Sequence, residues 1–251
     1  MTGAANGLRV ETPAEVRVLV LDRPQAANAL GSTLQHALTD ALAEAAGDSA
    51  VAAVLLMAAG DRVFSAGADL KEFSERDAGE ARTLRRELLR VTLLALIDFG
   101  KPLVAAVRGK AIGAGCMLAF LADEVHAADG ATFWLPEIRL GMATPVGASI
   151  VAARGGRRAA LSMALGGEAI DARAALGAGL IDAAHPAAEL QEAALARARA
   201  LAAHAGAAYA QNKRWINAAL REEIIRALDH SAHLTAQPGG ATIVSRTATD
   251  N

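Results

Sequence analysis

Residues 64–73 have the sequence FSAGADLKEF, and residues 107–118 have the sequence VRGKAIGAGCML. In each segment an apolar, strand-like run ends in small residues, and a turn or helix begins directly after them. Small residues let peptide N–H groups approach a ligand closely, and the start of a helix adds partial positive charge. Two such loops brought together would offer two convergent N–H donors, which is the geometry of an oxyanion hole.

The hydrophobic pattern predicts the secondary structure around these loops. A strand is predicted at 15–22, where polar and apolar residues alternate, and buried strands are predicted in the apolar runs 51–58 and 102–107. Helices are predicted at 32–46, with Ser32 as N-cap, and at 79–98, with its basic residues outside. The remaining predictions are a loop at 60–69 and short strands at 125–127 and 131–134 around the turn Asp129-Gly130.

The second half of the chain has a different pattern. From Ala159 onward, Ala-rich helical segments follow one another, and no Gly-, Ser- or Pro-rich linker separates them from the first half. We therefore predict one α/β domain over residues 1–251 that is built from stacked ββα or βαβ units. Its core extends to about residue 190, C-terminal helices occupy about 191–235, and the polar tail 237–251 is expected to be partly disordered.

Composition argues against several classes of function. Hydrophobic residues make up 53% of the 251 residues, charged residues 21%, and the net charge is −2. We expect no nucleic-acid partner, because there is no basic excess, and no membrane partner, because no apolar segment is long enough to span a bilayer. The N-terminal residues do not resemble a signal peptide, and Cys116 is the only cysteine. These features favour a cytoplasmic protein, and no metal site is predicted.

Four segments together carry a resemblance to a known family. They are the two loops above, LDRPQAANAL at 21–30 and FWLPEIRLG at 133–141. In this order and spacing, over about residues 8–235, they resemble the crotonase family, also called the enoyl-CoA hydratase/isomerase superfamily. The resemblance implies a crotonase-like spiral of ββα units, a C-terminal helical trimerisation region, and a homotrimer or dimer of trimers. It also implies an acyl-CoA substrate and no separate cofactor, because coenzyme A enters as part of the substrate.

The resemblance also implies roles for individual residues. The N–H groups of Ala68 and Ala114 would hold the thioester carbonyl oxygen and stabilise an enolate. The family's hydratases use two glutamates; here the second is present as Glu137, and Met117 stands at the position of the first. Met117 and Trp134 are expected to contact the substrate, and the apolar surroundings of Glu137 are expected to disfavour its ionisation. Residues expected to contact the CoA moiety are Gln25, Ala26, Ala66, Asp69, Leu70 and Lys71.

A single acid/base group favours one reaction type over others. Shifting a C=C bond needs only a proton removed from one carbon and returned to another, whereas hydration also needs an oriented water. The sequence therefore favours an enoyl-CoA isomerase. A dienoyl type would carry an aspartate eight residues after Glu137, where this chain has Pro145. The alternatives are a hydratase or decarboxylase of the same fold and a non-catalytic member that binds acyl-CoA.

Simpler interpretations exist for several of these residues. Glu137 could cap a short surface helix, and Met117 could be a packing residue. The arginines of the helix at 79–98 are interpreted as a solvated stripe, with contact to CoA phosphates as the alternative; they are Arg82, Arg85, Arg86 and Arg90. Lys213 and Arg214, on a late helix, are alternative contacts for the CoA 3′-phosphate.

Overall fold

The computed structural model of the chain describes residues 6–72, 74 and 77–236. The tail 237–251, which was predicted to be partly disordered, lies outside the described residues. The strands in chain order are β1 (Leu8–Glu11), β2 (Val16–Leu21), β3 (Ala53–Ala58), β4 (Val63–Ser65), β5 (Leu103–Val107), β6 (Lys110–Ile112), β7 (Glu124–Ala128), β8 (Thr132–Trp134), β9 (Ala169–Asp171) and β10 (Ala183–His185). The α-helices are α1 (Ser32–Gly47), α2 (Ala78–Ile97), α3 (Ala114–Phe120), α4 (Pro145–Ala160), α5 (Ala172–Gly177), α6 (Leu190–Ala202) and α7 (Ala207–Ala236).

The strands form two sheets. The larger sheet has six strands in the order β1-β2-β3-β5-β7-β10, and the smaller has four in the order β4-β6-β8-β9. Only the outermost pairs β1–β2 and β8–β9 are antiparallel; the other neighbours run parallel. Parallel strands need long crossover connections, and here the connections also supply the strands of the second sheet.

The connectivity follows a repeated unit. The chain passes through β3, β4 and α2, then β5, β6 and α3, then β7, β8 and α4. Each pass places one strand in the larger sheet, one in the smaller sheet, and a helix after them. The prediction of an α/β spiral of ββα units is confirmed.

Alternation along the large sheet sorts its side chains into two layers. Leu19, Val54 and Leu56 pack in the main core together with α1, which buries Leu34 and Leu38 on the same side. The alternate positions face the opposite way and form a second core with α6; they include Val18, Val20, Leu55 and Val104. From α6 this second core receives Leu190, Ala194 and Ala198, which are spaced four residues apart on one helix face.

Several sequence-based predictions differ from the structure. The segment 60–69 contains β4, and β6 precedes α3 within 107–118. Strands β7 and β8 do not form a hairpin but lie in different sheets, and the C-terminal part contains β9 and β10. The strands that the sequence missed, β4, β6, β9 and β10, have three residues each, which is too few for alternation to reveal them.

The N-cap of α1 is also not the residue predicted. Gly31 occupies the cap position, and Ser32 is the first helical residue. The Ser32 hydroxyl bonds to the carboxylate of Glu72, and the Ser32 N–H donates to Glu72 Oε2 at 2.8 Å. A carboxylate from a distant loop therefore satisfies the N-terminus of α1, which a local capping rule cannot anticipate.

The C-terminal helix α7 packs on this chain's own α2 and α4. Ion pairs join it to the second half of α2, between Arg90 and Asp229 at 2.8 Å, and to the residue after α2, between Arg221 and Asp98 at 2.7 Å. This packing places one face of α7 against the ββα core. None of the helices within residues 6–72, 74 and 77–236 is both long enough and apolar enough to cross a membrane.

Candidate active site

Three neighbouring strands of the small sheet end at the same edge. Strands β4, β6 and β8 are parallel neighbours, so the residues that follow them are brought together. The segment after β4 is Ala66-Gly67-Ala68, the segment after β6 is Gly113-Ala114, and the segment after β8 leads to Glu137. The small sheet thus joins the two small-residue loops and the carboxylate, which are far apart in sequence.

The first two loops touch because Gly67 has no side chain. Its φ is +83°, a left-handed conformation that favours glycine. A Cβ at this position would lie 2.8 Å from the Ile112 carbonyl oxygen and 3.2 Å from the Ala114 nitrogen. Any other residue would therefore push the loop after β4 away from the start of α3.

The N–H groups of Ala68 and Ala114 are both free for a ligand. Ala68 forms a parallel bridge with Leu30, in which Leu30 donates to the Gly67 oxygen at 2.8 Å and Asp69 donates to the Leu30 oxygen at 3.3 Å. This bridge uses the neighbours of Ala68, so its own N–H points the other way. Ala114 is the first residue of α3 and has no intrahelical acceptor. No acceptor for either N–H is found in the part of the chain that the structure describes.

Glu137 lies beside these donors. It begins a 3₁₀ turn, Glu137–Leu140, and its Oε1 is 3.1 Å from the point that a Cβ of Gly113 would occupy. Its Oε2 is buried without a hydrogen-bond partner among the described residues. Burial raises the pKa of Glu137, and the weaker opposing effect is a hydrogen bond from its own backbone. The direction is the one that its apolar surroundings predict.

A cavity of about 770 Å³ contains this arrangement. Met117 lines it and is 5% exposed, with its thioether methyl 2.9 Å from the position that a Cβ of Gly147 would take. Among the described residues that line the cavity, Glu137 is the only aspartate or glutamate. The sequence-predicted site residues that line it are Ala66, Ala68, Leu70, Ala114, Met117 and Glu137.

Trp134 does not line the cavity. Its indole N–H donates to the Gly167 oxygen at 2.8 Å, and the Arg139 guanidinium lies 5.7 Å from its ring centre. Its backbone contacts the site, because the Trp134 carbonyl oxygen accepts a hydrogen bond from the Gly113 N–H at 2.8 Å. The structure therefore places the Trp134 side chain outside the cavity, against Gly167 and Arg139, and its contact with the substrate remains a prediction.

Four expected CoA contacts lie outside the cavity. Gln25 is exposed and belongs with Ala26 to the 3₁₀ turn Pro24–Ala26, and Lys71 is also exposed. Asp69 forms an ion pair with Arg23 at 3.1 Å. These residues remain next to the loop after β4, since the Ala66 N–H donates to the Ala27 oxygen at 3.0 Å.

The arginines of α2 are not the solvated stripe that the sequence suggested. Arg82, Arg85 and Arg86 line the cavity together with Leu89. These positions share one helix face, at spacings of three and four residues. Leu89 on this face was the sequence signal that the face is not fully solvated. Arg90 differs from them, because it pairs with Asp229 on α7.

The side chains of Lys213 and Cys116 do not belong to the site. Lys213 is buried and donates to Asp123 Oδ2 at 2.8 Å and to the Lys101 oxygen at 3.0 Å, so its side chain is not available to a CoA phosphate. Cys116 is fully buried, and burial, followed by the charge of Glu137, raises the pKa of its thiol. A thiol held in its neutral form is a poor nucleophile.

The chemistry available at this site is limited and specific. Two backbone donors can hold an oxygen on which negative charge develops, and one donor of this kind contributes about 3 kcal/mol to transition-state stabilisation. A carboxylate whose pKa is raised can take up a proton and return it. No group of three or more His, Cys, Asp or Glu side chains that could hold a metal ion occurs among the described residues.

This spiral of ββα units, with two backbone donors beside a half-buried glutamate, defines an α/β protein of the crotonase type. The sequence pattern of the enoyl-CoA hydratase/isomerase family matches residues 11–242. The chain belongs to the enoyl-CoA hydratase/isomerase family.

Several similar proteins are named as hydratases. The 2,3-dehydroadipyl-CoA hydratase of Escherichia coli is 40% identical over 198 residues, which cover 78% of this chain and 76% of the relative. A mitochondrial enoyl-CoA hydratase of Pongo abelii is 36% identical, with 81% of this chain and 69% of the relative covered. The crystal structure of an enoyl-CoA hydratase from Mycobacterium avium subsp. paratuberculosis has a TM-score of 0.77 at 32% identity and covers 92% of this chain and 91% of its own.

Proposed function

We propose that the protein shifts a C=C bond within an acyl-CoA thioester, with Glu137 as its only acid/base group. The observation that carries this proposal is the composition of the cavity. Glu137 is the one carboxylate among its described lining residues, and Met117, which the family resemblance assigns to the position of the first hydratase glutamate, lines the same cavity.

The proposed reaction proceeds through an enolate. The N–H groups of Ala68 and Ala114 donate to the thioester carbonyl oxygen, and Glu137 removes a proton from C2 of a 3-enoyl-CoA. The electron pair of the broken C–H bond delocalises onto the carbonyl oxygen and the C3–C4 double bond. Glu137 then returns its proton to C4, which leaves the double bond between C2 and C3. The reaction is redox-neutral, so CoA as part of the substrate is the only cofactor required.

Hydration of a 2-enoyl-CoA is the second candidate. The observation that favours it is that the relatives described above are named hydratases. In that reaction Glu137 would activate a water alone, with no second carboxylate beside it. We expect a lower rate for this route than for isomerisation, because one acid/base partner typically contributes about 100-fold or more.

Product identification separates the two candidates. Purified protein is incubated with 3-enoyl-CoA and 2-enoyl-CoA esters of several chain lengths, and the products are identified by mass and by the absorbance of the conjugated thioester. Isomerisation leaves the mass unchanged, whereas hydration adds one water. Hydration of the 2-enoyl ester at a rate above that of isomerisation would overturn the isomerase proposal in favour of the second candidate.

The predicted trimer or dimer of trimers remains a prediction. Trp215 and Ile216, on the face of α7 away from the core, are 83% and 76% exposed in the single chain. Large apolar side chains on one helix face are typical of a surface that another subunit covers. Light scattering at micromolar concentration should give the mass of three or six chains, and a monomer would contradict the prediction.

A further inference from the structure

Two buried polar side chains beside the cavity take no part in the proposed proton transfer. Gln35 of α1 is 5% exposed, and Thr92 of α2 is fully buried. They meet where α1 and α2 pack against each other. Burying an amide and a hydroxyl is costly unless both are hydrogen-bonded, so their partners indicate what these side chains hold in place.

The Gln35 amide links Thr92 to the backbone of Leu30. Its Nε2 donates to the Leu30 carbonyl oxygen at 3.0 Å, and its Oε1 accepts from the Thr92 hydroxyl at 3.1 Å. A carbonyl oxygen can only accept, so the NH₂ group must face Leu30 and the amide oxygen must face Thr92. The Thr92 hydroxyl is also 2.8 Å from the Leu88 carbonyl oxygen, one turn earlier on α2, which fixes its position.

Leu30 in turn orients the peptide that carries the Ala68 N–H. The Leu30 N–H donates to the Gly67 oxygen at 2.8 Å, and the Leu30 oxygen accepts from the Asp69 N–H at 3.3 Å. The Gly67 oxygen and the Ala68 N–H belong to one planar trans peptide, so they point in opposite directions. Leu30 therefore holds the backbone on both sides of Ala68, and Gln35 holds the Leu30 carbonyl.

We propose that Gln35, held by Thr92, is a positioning residue for the oxyanion-hole donor of Ala68. This inference rests on the proposed function, in which the Ala68 N–H donates to the thioester carbonyl oxygen. Such donors are effective because they are oriented before charge develops on the oxygen. The alternative is a purely structural role, in which the hydrogen bond between the two side chains only joins α1 to α2.

Gln35→Met and Thr92→Val test the proposal. Methionine keeps an unbranched side chain of similar size but cannot donate to Leu30. In this variant the Leu30 oxygen keeps its bond from the Asp69 N–H. The Thr92 hydroxyl keeps its bond to the Leu88 oxygen, so neither group is left unpaired. Thr92→Val keeps the shape of the side chain and removes the hydroxyl that holds the Gln35 amide. Thr92→Ser is the matched control, because it retains the hydroxyl.

The carbonyl stretching band of a bound thioester measures the oxyanion-hole hydrogen bonds directly. A saturated acyl-CoA with carbon-13 at the thioester carbonyl is bound to each protein, and infrared difference spectra compare it with the free ligand. The band should move to lower wavenumber in the wild type and in Thr92→Ser, and should move less in Gln35→Met and Thr92→Val. In these two variants kcat should fall by about tenfold to a hundredfold, with the affinity for the saturated ligand little changed.

The possible results separate this inference from the proposed function. A wild-type band shift in both variants would overturn the inference and leave the acyl-CoA function intact, even if both variants unfold at lower urea concentrations. A reduced shift in Gln35→Met but not in Thr92→Val would also overturn it, because Gln35 lines the cavity and would then contact the thioester itself. No shift in the wild type would overturn the acyl-CoA function and this inference with it. Lys213→Met is the control for lost stability, and it should keep the full band shift.

Discussion

Two ionisable side chains, the half-buried Glu137 with its buried Oε2 and the buried Lys213, differ in the partners that surround them. Each lines a cavity, of about 770 Å³ for Glu137 and about 490 Å³ for Lys213. Glu137 Oε2 has no hydrogen-bond partner in the described part of the chain. Lys213 donates to Asp123, and the same carboxylate oxygen accepts from Tyr209 at 3.0 Å and from the Leu103 N–H at 2.8 Å.

The pKa values of the two groups show what the partners do. Burial raises the pKa of Glu137 and lowers that of Lys213, so both shift toward the neutral form. For Lys213 the charge and hydrogen bond of Asp123 oppose this effect. Burial alone therefore does not distinguish a structural group from a reactive one. A buried carboxylate oxygen without a hydrogen-bond partner costs stability, and in this chain it lies beside two free N–H groups.

The largest effect is expected from Glu137→Gln. This substitution keeps the shape of the side chain and removes its ability to accept and return a proton. We expect kcat to fall by about 1,000-fold or more while the affinity for a saturated acyl-CoA changes little. Steady-state kinetics and calorimetry on the same preparation provide the two measurements. Turnover near the wild-type rate would show that Glu137 is not the acid/base group.

Lys213→Met should give the opposite pattern. It leaves Asp123 buried without its cation, and breaking a buried ion pair costs about 3 kcal/mol of unfolding free energy. The kcat of the folded protein should stay unchanged, because Lys213 lies outside the cavity of Glu137. Urea unfolding followed by an assay at low temperature tests both statements.

Arg214→Met is the control for this comparison, because Arg214 is the exposed neighbour of Lys213 on α7. Its effect should be about 0.5 kcal/mol or less. If fully folded Lys213→Met had a lower kcat than the wild type, the second cavity would contribute to turnover. Lys213 would then not be a purely structural group.

A smaller effect is expected in the pH dependence of stability. The pKa of Glu137 is raised in the folded state, so its contribution to stability is greatest below the ordinary carboxyl pKa and is lost as the pH rises through the raised value. Glu137→Gln does not titrate. Its melting temperature relative to the wild type should therefore increase across that pH range, as measured by thermal melts from acidic to neutral pH. A constant difference at all pH values would contradict the raised pKa.

The sequence predicts the site around Glu137 better than it predicts the buried ion pair of Lys213. The loops around Gly67 and Gly113 are recognisable because their chemistry uses backbone groups, and backbone geometry requires small residues at fixed spacing within a short segment. Periodicity also predicts α1, α2 and the buried strands. It does not predict β4, β6 or β9, because three residues are too few to show alternation.

Contacts between distant segments could not be predicted in the same way. Lys213 and Asp123 are 90 residues apart, and only the packing of α7 brings them together. Arg82 and Arg85 could equally have faced the solvent, since a helical stripe of arginines is common on surfaces. Their position depends on how α2 is rotated against α1 and α7, and this is determined by tertiary packing.

The smallest expected effect is a new activity in Met117→Glu, which would give Glu137 the neighbour that it lacks. Met117 and Glu137 line the same cavity, so the variant would place two carboxylates in one apolar space. Such a pair shares a proton and titrates jointly, and together the two groups can orient a water that a lone glutamate beside a thioether cannot hold. We expect slow but measurable hydration of a short 2-enoyl-CoA, with some loss of stability from the added buried charge. Met117→Gln is the control, because it adds polarity without a second carboxylate, and it should show no hydration above the wild type. Efficient hydration by the wild type itself would contradict the single-glutamate interpretation, because Glu137 would then need no partner to activate water.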